Sequence, residues 1–221
     1  MSRAAVFFAK EPRPGTVKTR MGSRLDPEGC AGLASALILD TADLLRQITD
    51  VCRILCYAPS DSLQTLEELV GSDFVFVPQS EGDLGKRMEM AFEWAFQQAH
   101  SKVIIIGADS PAVPAGWIEE AFDSLDEKDV VLGPTLDGGY YLIGLKSLQP
   151  ALFHGVAWST ESVLATTLDK VTELDVSLHL LSPWSDLDYP EDLDFFKTHV
   201  RALKIAGAPF PVNTAKFLDS L

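Results

Sequence analysis

Four basic side chains, Lys10, Arg13, Lys18 and Arg20, crowd into KEPRPGTVKTR directly after the apolar run AAVFFA. Lysine there offers a compact positive charge, and arginine a planar fork that matches phosphate oxygens. Pro14 stiffens the loop, and Gly15 allows backbone conformations or a close approach that a Cβ would forbid. The chemistry this suggests is the holding of phosphate. It is not a P-loop, because Gly15 lies only three residues before Lys18, and the chain has no GxGxxG. Carboxylates form the second set. Asp109 emerges from the fully apolar stretch VIII in VIIIGADSP, and Asp186 and Asp188 precede Tyr189-Pro190 in DLDYPEDL. Magnesium prefers one or two carboxylates completed by phosphate oxygens and water, so Asp109 is a candidate ligand with Asp188 or Asp186 as its partner. Glu191 and Asp192 are explained as the acidic first turn of a helix. Asp137 in LDGGYYLIG is either a tight-turn residue or part of a surface where Gly138 and Gly139 let a substrate lie against the backbone beside Tyr140 or Tyr141.

Other reactive residues carry less. The four histidines are scattered without ligand spacing, and Ser110, Ser159 and Ser185 lack a nucleophile-elbow context. The three cysteines form no CxxC. Cys52 and Cys56 bracket Ile54 at every second position, as one buried strand face would.

These residues need a scaffold that brings loops together. Short apolar runs at 4–9, 51–58, 73–78, 102–107, 129–133, 139–144 and near 174–181 predict strands. Amphipathic stretches at 29–48, 62–70, 84–99 and 115–125 predict helices between them. Such alternation implies βαβ units and a mainly parallel sheet sandwiched between helices, as one domain over 1–221. In such sheets ligands sit beyond the carboxyl ends of the strands, where the polar loops KEPRPGTVKTR, QSEGDLGKRM, GADSP and TLDGG fall. The closing stretch 203–221, rich in proline and apolar residues, reads as an extension that covers a sheet edge or packs on a partner.

The net charge of −14 argues against nucleic acid and anionic membrane as partners. Up to Arg24, however, six basic residues face one acid, a positive island suited to a small anion. No apolar run approaches membrane-spanning length, and the unpaired thiols fit a reducing compartment, so a cytoplasmic protein without integral membrane association is expected.

In order along the chain, KEPRPGTVKTR, QSEGDLGKRM, GADSP, GPTLDGGYYLIGL, LFHGVAWST and DLDYPEDL resemble the nucleotide-diphospho-sugar transferase superfamily with the GT-A fold. The likeness is strongest to a bacterial group (DUF2064-like) described as glycosyltransferases, with a distant similarity to phospholactate guanylyltransferases and molybdenum cofactor nucleotidyltransferases. The resemblance implies a single-domain, Rossmann-like α/β fold and a nucleotide-activated donor, an NDP-sugar or an NTP, held with Mg2+ or Mn2+. It implies that Lys18 and Arg20, with Lys10 nearby, neutralise donor phosphate, while Pro14, Gly15, Gly82, Leu84 and Arg87 shape the nucleotide pocket. Asp109 takes the place of the metal-binding DxD motif, though the chain reads Asp109-Ser110-Pro111 with one acid, so the second ligand comes from Asp188 or Asp186. The resemblance further implies that Asp137, Gly138, Gly139 and Tyr140, flanked by Trp158, line the side of a small-molecule acceptor, and Asp137 is a candidate base towards an acceptor hydroxyl.

Sugar transfer and nucleotidyl transfer both suit this architecture, since each relies on cations placed where charge develops. A phosphorylated acceptor needs extra cations, and 134–165 holds only Lys146 and His154. That scarcity favours an uncharged acceptor and sugar transfer over nucleotidyl transfer with pyrophosphate release. The missing second acid of DxD keeps a non-catalytic nucleotide-binding protein as a third reading.

Overall fold

A computed structural model describes residues 2–221. Seven strands form one sheet: β1 (Arg3–Lys10), β2 (Val51–Ala58), β3 (Val75–Pro78), β4 (Lys102–Ile106), β5 (Val130–Pro134), β6 (Tyr140–Leu145) and β7 (Leu178–Leu180). Their order across the sheet is β3-β2-β1-β4-β6-β5-β7. All run parallel except β6, which is antiparallel to both its neighbours. The reason is length. Only Thr135–Gly139 separate β5 from β6, too few residues for a crossover, so the chain turns back on itself.

The central strands β1 and β4 are apolar without interruption over 4–9 and 103–106, because both sheet faces are covered. Ala5 and Phe7 of β1 and Ile104 and Ile106 of β4 point to one face, Ala4, Val6, Val103 and Ile105 to the other. The first face packs on α1 (Pro27–Arg46), α2 (Leu63–Val70) and α4 (Ala115–Ser124), through Ile38, Leu45, Leu66 and Phe122. The second packs on α3 (Leu84–Gln97) and α5 (Val163–Glu173), through Met88, Phe92 and Val171. A third cluster lies outside the sheet, where α1 meets α6 (Pro190–Ala206) and α7 (Val212–Asp219) around Leu33, Leu37, Phe196 and Leu218.

Capping explains where these helices begin. Asp26 accepts from the Gly29 amide ahead of α1, with Pro27 at the first helical position, so that helix starts two residues earlier than its apolar periodicity predicts. Asp83 does the same for α3 by accepting from Lys86 N. Leu174 caps the end of α5, so the last strand shrinks from the expected 174–181 to Leu178–Leu180. Both α5 and α7 are helices that the sequence pattern does not announce. The segment 203–221 covers no sheet edge; it continues α6, turns at Gly207 (φ 64°) and lays α7 against α1. Pro211 has no side chain with which to cap α7, and Asp40 of α1 does it instead. Its carboxylate accepts from Asn213 N at 2.8 Å, Asn213 Nδ2 at 3.0 Å and Thr214 N at 2.7 Å. Among the described residues no helix is long and apolar enough to cross a membrane.

The β5–β6 turn is anchored from below. Gly138 has φ 89°, its carbonyl accepts from Leu164 N at 2.8 Å, and the Glu161 carbonyl fills the space a Cβ would need.

Two stability effects follow from these contacts. Asp40→Ala strips three hydrogen bonds from the start of α7 and is expected to cost about 2 kcal/mol in urea unfolding. Amides 212–219 should then exchange faster than in the parent, and unchanged protection there would show that the cap is dispensable. Gly138→Ala forces both a left-handed backbone and a clash with main chain, and is expected to cost about 3 kcal/mol in the same measurement.

Candidate active site

The loops after β1, β3 and β4 and the segment after β7 meet at the carboxyl rim of the sheet. The last of these makes the longest journey. Beyond β7 it stays beside β5 through an isolated bridge between Thr135 and Trp184, then crosses the rim. Trp184 Nε1 donates to Pro111 O at 2.9 Å, and Leu187 N donates to Asp109 O at 2.8 Å. These bonds bring Asp188 beside Asp109.

Lys18 lies between them. Its backbone is left-handed (φ 47°, ψ 35°), directly ahead of the 3-10 turn Thr19–Ser23, and its side chain is only 7% exposed. Three oxygens surround the ammonium: Asp109 Oδ1 at 2.6 Å, Asp188 Oδ1 at 2.7 Å and Leu187 O at 2.8 Å. Burial alone would lower the Lys18 pKa, but Asp109 and Asp188 outweigh it and hold the group above its ordinary value. Arg20 Nη1 lies 3.4 Å from Asp188 Oδ2, with its guanidinium 5.2 Å from the Tyr189 ring centroid and its side chain half-exposed. Asp192 fixes the Asp188 loop by accepting from the amides of Asp188 (2.9 Å) and Tyr189 (2.7 Å).

The cation and its carboxylates close one end of a cavity of about 400 Å3. Phe8, Ala9, Ala34 and Leu37 give it an apolar floor, and Gln79 and Leu84 lie on the lining. Lys10 and 16–20 form a wall. Lys10 Nζ donates to Thr16 O at 2.9 Å, which folds the basic loop over itself. Gly15 has φ 77° with open space around it, so it is there for its backbone angle. Pro14 lies beside it in the same exposed turn. Arg13 turns away to Glu11 and Asp61, so three of the four basic side chains of the loop face the cavity.

Gln79 carries a positioning role that the sequence did not signal beyond its place after β3. Its Nε2 donates to Cys56 O at 2.9 Å and Ala9 O at 3.3 Å, which ties the ends of β2 and β1 together. Its Oε1 accepts from Arg87 Nη1 at 3.2 Å, and Arg87 Nε donates to Gly82 O at 3.1 Å. Arg87 and Gly82 (φ 110°) thus brace the loop that leads into α3 at Leu84.

Other candidates lie apart from this lining. Asp186 sits behind the ion pair, bonded by the Ser110 hydroxyl, and burial pushes its carboxyl up to about 7. Asp137 Oδ1 accepts from Thr135 Oγ1 at 2.5 Å and Gly139 N at 3.1 Å, closing the turn that Gly138 completes. Tyr140 and Trp158 belong to the second core cluster. Their rings meet edge to face at 6.4 Å, Trp158 fills the space beside Gly85, and Tyr140 Oη and Trp158 Nε1 are buried without a hydrogen-bond partner. The two cations counted in 134–165 are also elsewhere. Lys146 follows β6 at the opposite rim, and His154 pairs with Glu89. The cations of the site come from the β1 loop instead.

Among the described residues no group of three or more His, Cys, Asp or Glu side chains is arranged to hold a metal. The Asp109–Asp188 pair nevertheless fits a divalent ion, because two carboxylate oxygens already converge on one cation and donor phosphates and water would complete the shell.

Comparison with known proteins agrees with this architecture. Residues 41–160 match the family described as "Uncharacterized protein conserved in bacteria (DUF2064)". A 2-phospho-L-lactate guanylyltransferase of Methanobrevibacter ruminantium is 27% identical over 213 residues, covering 92% of this chain and 86% of that one. One from Methanocorpusculum labreanum is 26% identical over 192 residues, covering 85% and 81%. The crystal structure of a candidate nucleotide-diphospho-sugar transferase from Desulfovibrio desulfuricans G20 superposes with a TM-score of 0.91 at 29% identity, over 99% of this chain and 94% of that one. With a family match over more than half its length, the chain belongs to the DUF2064 family, and its fold is that of the nucleotide-diphospho-sugar transferases.

Proposed function

We propose that this protein is a nucleotidyltransferase that joins the NMP part of a nucleoside triphosphate to a small phosphorylated acceptor. The observation that carries this over sugar transfer is the likeness, along most of both chains, to guanylyltransferases that act on 2-phospho-L-lactate. The cavity chemistry supports it. The titratable side chains on its lining are Lys10, Lys18, Arg20, Asp109 and Asp188, and both carboxylates are committed to Lys18. A sugar hydroxyl attacking with inversion calls for a base, whereas a phosphate oxygen is already ionised near neutral pH and needs none.

In this reading an acceptor phosphate oxygen attacks the α-phosphorus. The bond to the α–β bridging oxygen breaks, and pyrophosphate leaves with the electron pair. Lys10 and Arg20 neutralise the charge that builds on the departing phosphates, with Lys18 at the end of the cavity. The apolar floor formed by Phe8, Ala34 and Leu37 takes the nucleoside. Asp109 and Asp188 would hold Mg2+ or Mn2+, which supplies charge neutralisation and polarisation at the phosphoryl oxygens. Sugar transfer from an NDP-sugar is the second reading, favoured by the description of the Desulfovibrio desulfuricans relative.

One assay separates the two. GTP, a phosphorylated 2-hydroxy acid and Mg2+ should yield pyrophosphate and a product in which a diphosphate joins guanosine to the hydroxy acid, with Asp109→Ala and Arg20→Ala each lowering kcat/KM by about 100-fold or more. NDP release from NDP-sugars, with no pyrophosphate from any NTP, would replace the first reading by the second.

A further inference from the structure

Lys18 occupies the point on which the two candidate metal ligands converge. Its ammonium has three protons and three acceptor oxygens, and two of those oxygens are Asp109 Oδ1 and Asp188 Oδ1. A divalent ion bound to the same two oxygens would take two of the three acceptors from a side chain that is only 7% exposed. It would also place a double positive charge against the ammonium. The two cations cannot share the pair.

The convergence of the carboxylates has its own supports. Leu187 N holds Asp109 O, Asp192 holds the amides of Asp188 and Tyr189, and Arg20 faces the second oxygen of Asp188. Lys18 therefore fills a pair of ligands that other contacts keep together. It also has another place to go. It lines the same cavity as Lys10 and Arg20, on a largely exposed loop, where a bound polyphosphate would present oxygens to its ammonium.

We propose that Lys18 and a divalent ion exclude one another at Asp109 and Asp188, so that the ion binds tightly only when donor phosphate draws Lys18 away. Metal and donor then enter as a unit, and the free ion is refused. This exclusion rests on the reading of Asp109 and Asp188 as the metal pair.

Binding of Mn2+ alone, followed by the electron paramagnetic resonance signal of the free ion, tests it. Lys18→Gln should bind Mn2+ at least about tenfold more tightly than the parent, as expected on removing a unit charge at contact distance. Adding Asp109→Asn to that variant should abolish the gain. Equal affinity in parent and Lys18→Gln overturns the exclusion. A second measurement needs no variant: Lys18 should resist acetylation by an N-hydroxysuccinimide ester, and react once Mn2+ saturates the parent, as read by peptide mass spectrometry. Protection that persists at saturation overturns the exclusion as well. Thermal stabilisation of the parent by GTP, with and without Mn2+, separates the two levels. If Mn2+ enhances it while Lys18→Gln gains no affinity for the ion, the exclusion falls and the metal pair stands. If Mn2+ adds nothing and neither form binds it, both fall.

Discussion

The ion triad of Lys18, Asp109 and Asp188 is the interaction on which the rest of the site depends. A lysine buried to this extent is tolerated only when its charge is met at close range. Two carboxylates and a carbonyl meet it here, and two of these three oxygens come from a loop separated from Lys18 by most of the chain. The requirement runs both ways. Without the cation, Asp109 and Asp188 would stand together at the rim of an acidic protein with no charge between them. The elements around the triad are arranged to meet this condition. The 3-10 turn after Lys18 aims its side chain inward, the segment beyond β7 crosses the rim to reach Asp109, and the first turn of α6 holds Asp188 through Asp192.

How a chain of net charge −14 would attract the anionic donor proposed for it then has a local answer. Lys10, Lys18 and Arg20 all face one cavity, whereas Arg13 is spent on Glu11 and Asp61. The positive field is short in reach because the surrounding surface is acidic and salt screens it within a Debye length. Such a field suits a small polyphosphate that enters a cleft, and it suits a long polyanion poorly. In the proposed reading, the apolar floor beside these cations is the surface for the nucleoside, next to a clamp for its phosphates.

Much of this was legible in the residues. The central strands declared themselves because both faces are buried, which leaves an unbroken apolar run such as that of β4. The basic loop and Asp109 could be assigned to one rim because polar loops that follow parallel strands must share it. The acidic segment DLDYPEDL divided as its positions suggested, with Asp192 serving the helix start and Asp188 reaching the cation. Counting cations along 134–165, in contrast, misjudged their supply. Lys146 is close to Asp137 in sequence, but β6 carries it to the opposite rim. Gln79 was also missed, because a glutamine that links two strand ends to an arginine has no local pattern.

Local sequence determined most of the elements and the caps of α1 and α3, since periodicity, proline and short polar side chains act within a few residues. It also determined the short turn that reverses β6, and the gathering of cations in one loop. Tertiary structure decided which charges meet. Whether Asp186 or Asp188 faces Lys18 depends on how a segment crosses the rim and on the bond from Leu187 N to Asp109 O, a contact between residues 78 positions apart. Tyr140 and Trp158 show the same division: their types suit a binding surface, and Trp158 beside Gly85 of α3, with Tyr140 edge-on to it, packs half-buried against the second core cluster. Alternation along a strand tells which side chains share a face. What lies opposite that face is fixed only when the layers close.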